Sequence, residues 1–239
     1  MRTLRWVFLV ACVGLVAIGC CGTGRYANGT TPDPTPRPTP GPTPAITAFS
    51  APVIGFAGTA DMEFVAAGTG GSVLATGTLV AAESRFTAEF VPLSDVPADL
   101  LQPGPDLGDV NCDIDVVPNT LRTAVIWLFV QADAPEELGS AIGMLQLADY
   151  DPWEDDEPIG SRFYTFWLAD QAGSITGTCI VDGGDVAIDM GISLTVGWNP
   201  VAVVITAVES GDRSALRLQN ETPIAAARWY YPPWAVIPD

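Results

Sequence analysis

Apolar side chains recur at every second position along much of the chain from about residue 45 onward. Phe86, Ala88 and Phe90 alternate with Arg85, Thr87 and Glu89. Such a segment turns one face to a core and the other to water, as a half-buried strand does. Val186, Ile188, Met190, Ile192, Leu194 and Val196 alternate with Ala187, Asp189, Gly191, Ser193 and Thr195, the strongest strand signal in the chain. Residues 123–130 and 201–208 are almost wholly apolar, which predicts central strands covered on both faces. Further strands are expected at 61–67, 72–80, 112–117, 141–148, 161–169, 174–181 and 214–219. Their spacing of roughly ten residues, with Gly, Pro and Asp between them, predicts an all-β fold. The expected architecture is an antiparallel β-sandwich, with a barrel as the alternative. Helical periodicity is absent except at 94–101, where Ser94 or Asp95 offers a cap for a turn or two. The stretch 103–111, rich in Gly, Pro and Asp, predicts a division into two packed sandwich-like subdomains, a small one at 45–110 and a larger one at 111–239. The smaller is marginal on its own.

Two segments of another kind precede this body. Arg2 and Arg5 form a basic start, and the apolar run 6–18 leads to Gly19 and Cys20. This is the form of a secretory signal, and the run is shorter than the roughly 18–20 residues that span a bilayer. Ala17-Ile18-Gly19-Cys20 resembles a bacterial lipobox, although Leu or another larger aliphatic residue is usual at the position of Ala17. The resemblance implies removal of residues 1–19 and acylation of the Cys20 thiol. Cys21 fits that role less well, because Cys20 would then fill the small position before cleavage. A residue other than Asp after the acylated cysteine implies delivery to an outer membrane where the host has one, and two or three acyl chains make a stable anchor. Within the following segment, 20–44, residues 31–44 read TPDPTPRPTPGPTP, with Pro at every second position from Pro32. Each Pro fixes its own φ and drives its predecessor from the helical region, so the run favours polyproline II. At about 3.1 Å per residue it reaches on the order of 45 Å and acts as a spacer. Thr-Pro repeats also resemble glycosylated stalks.

Composition narrows the chemistry. The chain has 239 residues, 28 acids, no His and a formal charge of −18; all ten basic residues are Arg, so Lys is missing as well. Without His there is no Ser-His-Asp or Cys-His relay and no His-ligated zinc; without Lys there is no Schiff base and no P-loop lysine. A polyanion repels phosphate backbones, which argues against a nucleic-acid partner. Removal of residues 1–19 deletes two arginines and no acid, which leaves 8 basic against 28 acidic residues, a net charge of −20. Cys112 and Cys179 remain in the body, and export to an oxidising compartment makes a disulfide between them the default.

Gly77-Thr78-Leu79-Val80 followed by Arg85-Phe86-Thr87 resembles a hairpin of carboxypeptidase-regulatory-like, transthyretin-type sandwiches, with Ala82-Glu83-Ser84 in place of the usual Asp-Gly turn. That likeness covers about 40 residues near 45–92. Thr176-Gly177-Thr178-Cys179, Gly197-Trp198-Asn199 and Arg228-Trp229-Tyr230 resemble a family of uncharacterised bacterial secreted lipoproteins, a likeness that brings no activity with it.

Asp149, Asp151, Glu154, Asp155, Asp156 and Glu157 crowd around Trp153. Hard oxygen ligands at this density suit Ca²⁺, the one cofactor the sequence suggests. The spacing is not that of an EF-hand, and a solvated acidic loop is the plainer reading. Asp182-Gly183-Gly184-Asp185 reads as a glycine-enabled turn. With 28 acids, some pair always suits glycoside cleavage, so no catalytic residue is singled out and an enzyme is not expected. Trp127 and Trp167 stand in apolar strands and read as core. Trp153, Trp198 and Trp234 neighbour Pro, Asn or acids and are the candidates for binding a sugar. Arg228-Trp229-Tyr230-Tyr231 is expected to close the sheet. The expected protein is a cell-envelope lipoprotein, held at the membrane by its N-terminal lipid. Its β-rich body is a non-catalytic structural or protein-interaction module, with a carbohydrate- or Ca²⁺-binding module as the alternative and a carboxylate hydrolase as the remote one.

Overall fold

The computed structural model describes residues 45–67, 72–103, 111–132, 143–153, 158–181, 186–209 and 212–235. The strands are β1 (Ala48–Ile54), β2 (Met62–Ala67), β3 (Val73–Val80), β4 (Arg85–Phe90), β5 (Gln102–Pro103), β6 (Asn111–Val117), β7 (Arg122–Ile126), β8 (Phe129–Gln131), β9 (Met144–Ala148), β10 (Arg162–Ala169), β11 (Gly173–Val181), β12 (Val186–Leu194), β13 (Gly197–Glu209), β14 (Asp212–Asn220) and β15 (Arg228–Tyr230). The fold is all-β. The expected turn of helix near 94–101 is two single 3-10 turns, Leu93–Asp95 and Ala98–Leu100, and Ser94 donates to Asp95 instead of capping.

Seven strands close into a barrel in the order β15-β1-β4-β3-β2-β8-β9, because β15 pairs with β1 on one edge and β9 on the other. This replaces the expected small sandwich. Period two marks a half-buried strand in either architecture, and what decides between them is the late strand β15, which leaves this sheet no free edge. Four barrel strands come from before the 103–111 stretch and three from after it, so residues 45–110 do not enclose this core alone. From β9 the sheet continues through β10, β13, β14, β12 and β11 to β6, with β7 beside β9 on the edge of β10.

Two cores result. The barrel encloses Phe64, Leu79, Phe86, Phe129, Leu147 and Trp229, all at most 1% exposed. Phe86 makes edge contacts with Phe64 (5.5 Å), Phe129 (5.2 Å) and Trp229 (4.8 Å), so rings fill the interior. Gly77 makes room for this cluster, since a Cβ there would lie 2.0 Å from Phe86 Cζ. The second core gathers Trp167, Ile175, Ile188, Met190, Ile192, Val201 and Val203 inside the curled outer sheet. β10 separates the two: Tyr164, Phe166 and Leu168 join the barrel core, while Phe163, Trp167 and Ala169 join the other.

The apolar run 123–130 is not one strand. It breaks at Trp127-Leu128, giving β7 to the outer sheet through β10 and β8 to the barrel through β2 and β9. The run 201–208 lies within β13, where Trp198 and Ala202 face the barrel core and Val201, Val203 and Ile205 the other.

Candidate functional site

At the far end of the outer sheet, Cys179 of β11 stands directly opposite Cys112 of β6, and the pair is bridged with Cα atoms 4.1 Å apart. The expected disulfide is therefore present, and it ties the edge strand to the sheet at a buried point, Cys179 being fully buried.

The acidic segment follows β9. Asp149 is not free for a ligand: its Oδ1 accepts from the Arg162 backbone N–H (2.7 Å) and its Oδ2 pairs with Arg162 Nη1 (3.1 Å). The same guanidinium reaches Glu221 through Nε (3.1 Å), and Glu221 accepts from Gln219 (3.0 Å). Burial works against the Arg162 charge, but the hydrogen bond it donates to Asp149 and the charges of Glu221 and Asp149 outweigh it and raise its pKa. Beside this network, burial pushes the Tyr164 phenol up to about 12; its oxygen accepts from the Ile224 N–H (3.3 Å), which pulls the other way, and Glu221 adds a further upward push. Asp151 Oδ1 accepts from the Trp153 N–H (2.9 Å), closing an Asx turn. Among the described residues, no group of three or more His, Cys, Asp or Glu is placed to hold a metal. Glu154, Asp155, Asp156, Glu157 and the 182–185 turn lie outside the described residues, as does Cys20.

The tryptophans divide. Trp198 is 2% exposed, donates from Nε1 to the Val91 carbonyl (2.8 Å) and packs on Phe90 (5.3 Å). It is a core residue; the polar Asn199 beside it is itself buried and serves the backbone, accepting from Thr195 and donating to Thr195, Gly197 and Trp167 carbonyls. Trp167 is core as expected, and Trp127 packs against the second core. Trp153 and Trp234 are partly exposed and meet edge to face, with centroids 5.3 Å apart and planes at 82°. Trp153 Nε1 donates to the Tyr230 carbonyl of β15 (3.2 Å). The sequence named both residues but not their meeting; their only shared local sign is adjacent proline, Pro152 beside one and Pro233 beside the other. The Arg162 network went unread, because its acceptors stand 13 and 59 residues away.

No family model matches the chain, no curated protein matches it, and no solved structure matches it.

Proposed function

We propose that this chain is a cell-envelope lipoprotein, acylated at Cys20 and delivered to an outer membrane, whose Pro-rich segment 20–44 carries a non-catalytic structural or protein-interaction module. The observation that carries this reading is the filled barrel. Phe64, Phe86, Phe129 and Trp229 occupy its centre, so recognition falls to the outer surface. The described acids near the tryptophans support it, since Asp149 and Glu221 serve Arg162 and Asp151 serves a turn.

Two measurements test the two halves of the proposal. Intact-mass analysis of membrane-extracted protein should give a chain beginning at Cys20 with lipid mass; a chain starting upstream, or without lipid, overturns the anchor. Cross-linking in whole cells should join the body to an envelope protein. Because the chain has no Lys, the reagent must couple carboxylates, and capture of no partner by such a reagent counts against the interaction module.

A glycan-binding module is the second reading, favoured by the partly exposed Trp153 and Trp234. A glycan-array signal lost on substitution of either residue would support it.

A further inference from the structure

β6 is the last strand of the outer sheet. It pairs among the described residues with β11 alone, and β7, which follows it in the chain, pairs with β10 and β5 instead. Its other side is therefore a row of backbone groups with no ladder partner among the described residues. The pairing says which residues own those groups. The Asp113 and Val117 carbonyls lie against β11, since a Cβ added at Gly177 or at Gly173 would run into them. Cys112 and Cys179, with Cα atoms 4.1 Å apart, are the close, non-hydrogen-bonded kind of opposite pair. The two kinds alternate along an antiparallel ladder, so Asp113, Asp115 and Val117 bond to β11. Cys112, Ile114 and Val116 turn their N–H and C=O groups to the open edge.

The side chains alternate in the same step. Ile114 and Val116 are partly buried against the second core, and Asp113 and Asp115 are exposed on the opposite face. The β11 residues opposite these acids are the uncharged Thr178 and Thr176, and neither acid makes an ion pair among the described residues. An antiparallel strand laid on this edge bonds to Cys112, Ile114 and Val116 and covers Ile114 and Val116 with apolar side chains. Its outward residues stand at the close positions opposite Asp113 and Asp115, where opposite charge stabilises and like charge destabilises. That rule excludes two occupants from this chain. A second copy, paired antiparallel about Ile114, sets acid against acid. In the run 31–44 only the residues between the prolines keep an N–H; these would have to pair, which leaves prolines and no cation opposite the acids.

We propose that the open edge of β6 binds, by antiparallel strand addition, an extended segment of a partner protein in which apolar and basic residues alternate. The proposal rests on the interaction-module reading and names its surface and the chemistry of its partner.

The test is fluorescence anisotropy of a labelled peptide, Thr-Val-Arg-Val-Arg-Val-Thr with capped ends, titrated with the full chain carrying Cys20→Ser, which cannot be acylated. Binding should saturate and should weaken as salt rises. Thr-Val-Glu-Val-Glu-Val-Thr, and the rearranged Thr-Val-Val-Arg-Arg-Val-Thr, should bind several-fold more weakly. N-methylation of the central Val, whose N–H faces β6, should abolish binding, whereas N-methylation of an Arg, whose N–H faces away, should be tolerated. Asp113→Asn together with Asp115→Asn should weaken binding on the order of tenfold. In residue-resolved amide exchange the peptide should protect Cys112, Ile114 and Val116 and leave Asp113, Asp115 and Val117, already bonded to β11, unchanged. No saturable binding, equal binding of the Glu or rearranged peptide, unchanged affinity in the double Asn variant, or protection elsewhere overturns the proposal. So does a dimer of the chain alone that protects the same three amides, because the occupant is then a second copy. With a silent peptide, capture of an envelope protein by the carboxylate cross-linker removes this edge alone, and capture of none removes the interaction module with it.

Discussion

A single methyl group tests the barrel interior at Gly77 and the outer sheet at Gly191. A Cβ at Gly77 lands on the Phe86 ring, whereas one at Gly191 meets nothing within 4 Å. Gly77→Ala should therefore cost about 1–3 kcal/mol by overpacking, while Gly191→Ala should be neutral or stabilise by up to about 1 kcal/mol. Urea midpoints at constant slope measure both. Tyr164 makes a prediction about pH. Its phenol is pushed up to about 12 in the native state, chiefly by burial, from an ordinary value of 10. Below pH 10 both states keep the proton and the stability is fully present; between 10 and 12 the unfolded chain releases it while the native state holds it. Stability should thus fall as pH rises through this window, and Tyr164→Phe should flatten that limb while losing the Ile224 hydrogen bond. Urea unfolding from pH 8 to 11 reads it. Burial raises Tyr231 in the same direction, so a residual slope should survive the substitution.

Among the elements, β6 is the one most dependent on a covalent tie. In the sheet order it stands last, paired among the described residues with β11 alone, and the disulfide spans a sequence separation of 67 residues. Chain entropy for a loop of that size predicts a loss of ~4 kcal/mol on removing the bridge. Cys112→Ser with Cys179→Ser should lower the melting temperature and open hydrogen exchange first along β6. The same elements show what the sequence made legible. β4 and β12 were readable because one face of each meets a core and the other meets water, the condition that produces strict alternation. The break at Trp127-Leu128 was not readable, because β7 and β8 both carry apolar residues and nothing local says that they pair with different strands. β1 escaped because Pro52 and three small residues blur its pattern; β15 has too few residues for a period, yet Arg228-Trp229-Tyr230-Tyr231 was legible as the segment that closes the sheet, as its pairing with β1 and β9 does. Of the site, the two cysteines of the body indicated the disulfide. Trp198 misled, since its polar neighbour Asn199 is a buried backbone bracket and not a sign of a surface.

For the whole molecule, the aromatic centre of the barrel offers a large side chain whose removal tests the filled interior. Trp229 touches Phe49, Phe86, Phe129 and Phe166. Trp229→Ala should cost about 3–5 kcal/mol by leaving a cavity. Trp229→Phe should cost less, because its ring still fills most of the space, while both changes remove the buried Nε1, a donor with no partner among the described residues. Denaturant unfolding ranks the two, and an Ala variant as stable as the Phe variant would refute the filled interior. The closing role of β15 also sets a timetable. The chain is made from its N-terminal end, so β1 to β4 emerge early while the strand that seals them arrives only at residue 228. Until then β1 and β9 each lack the neighbour that β15 provides, and an edge that waits invites pairing with another chain. A chain stalled before residue 228 is thus the form most exposed to aggregation, and its safety rests on β1 and β9 staying unpaired with other chains until the last strand has been made.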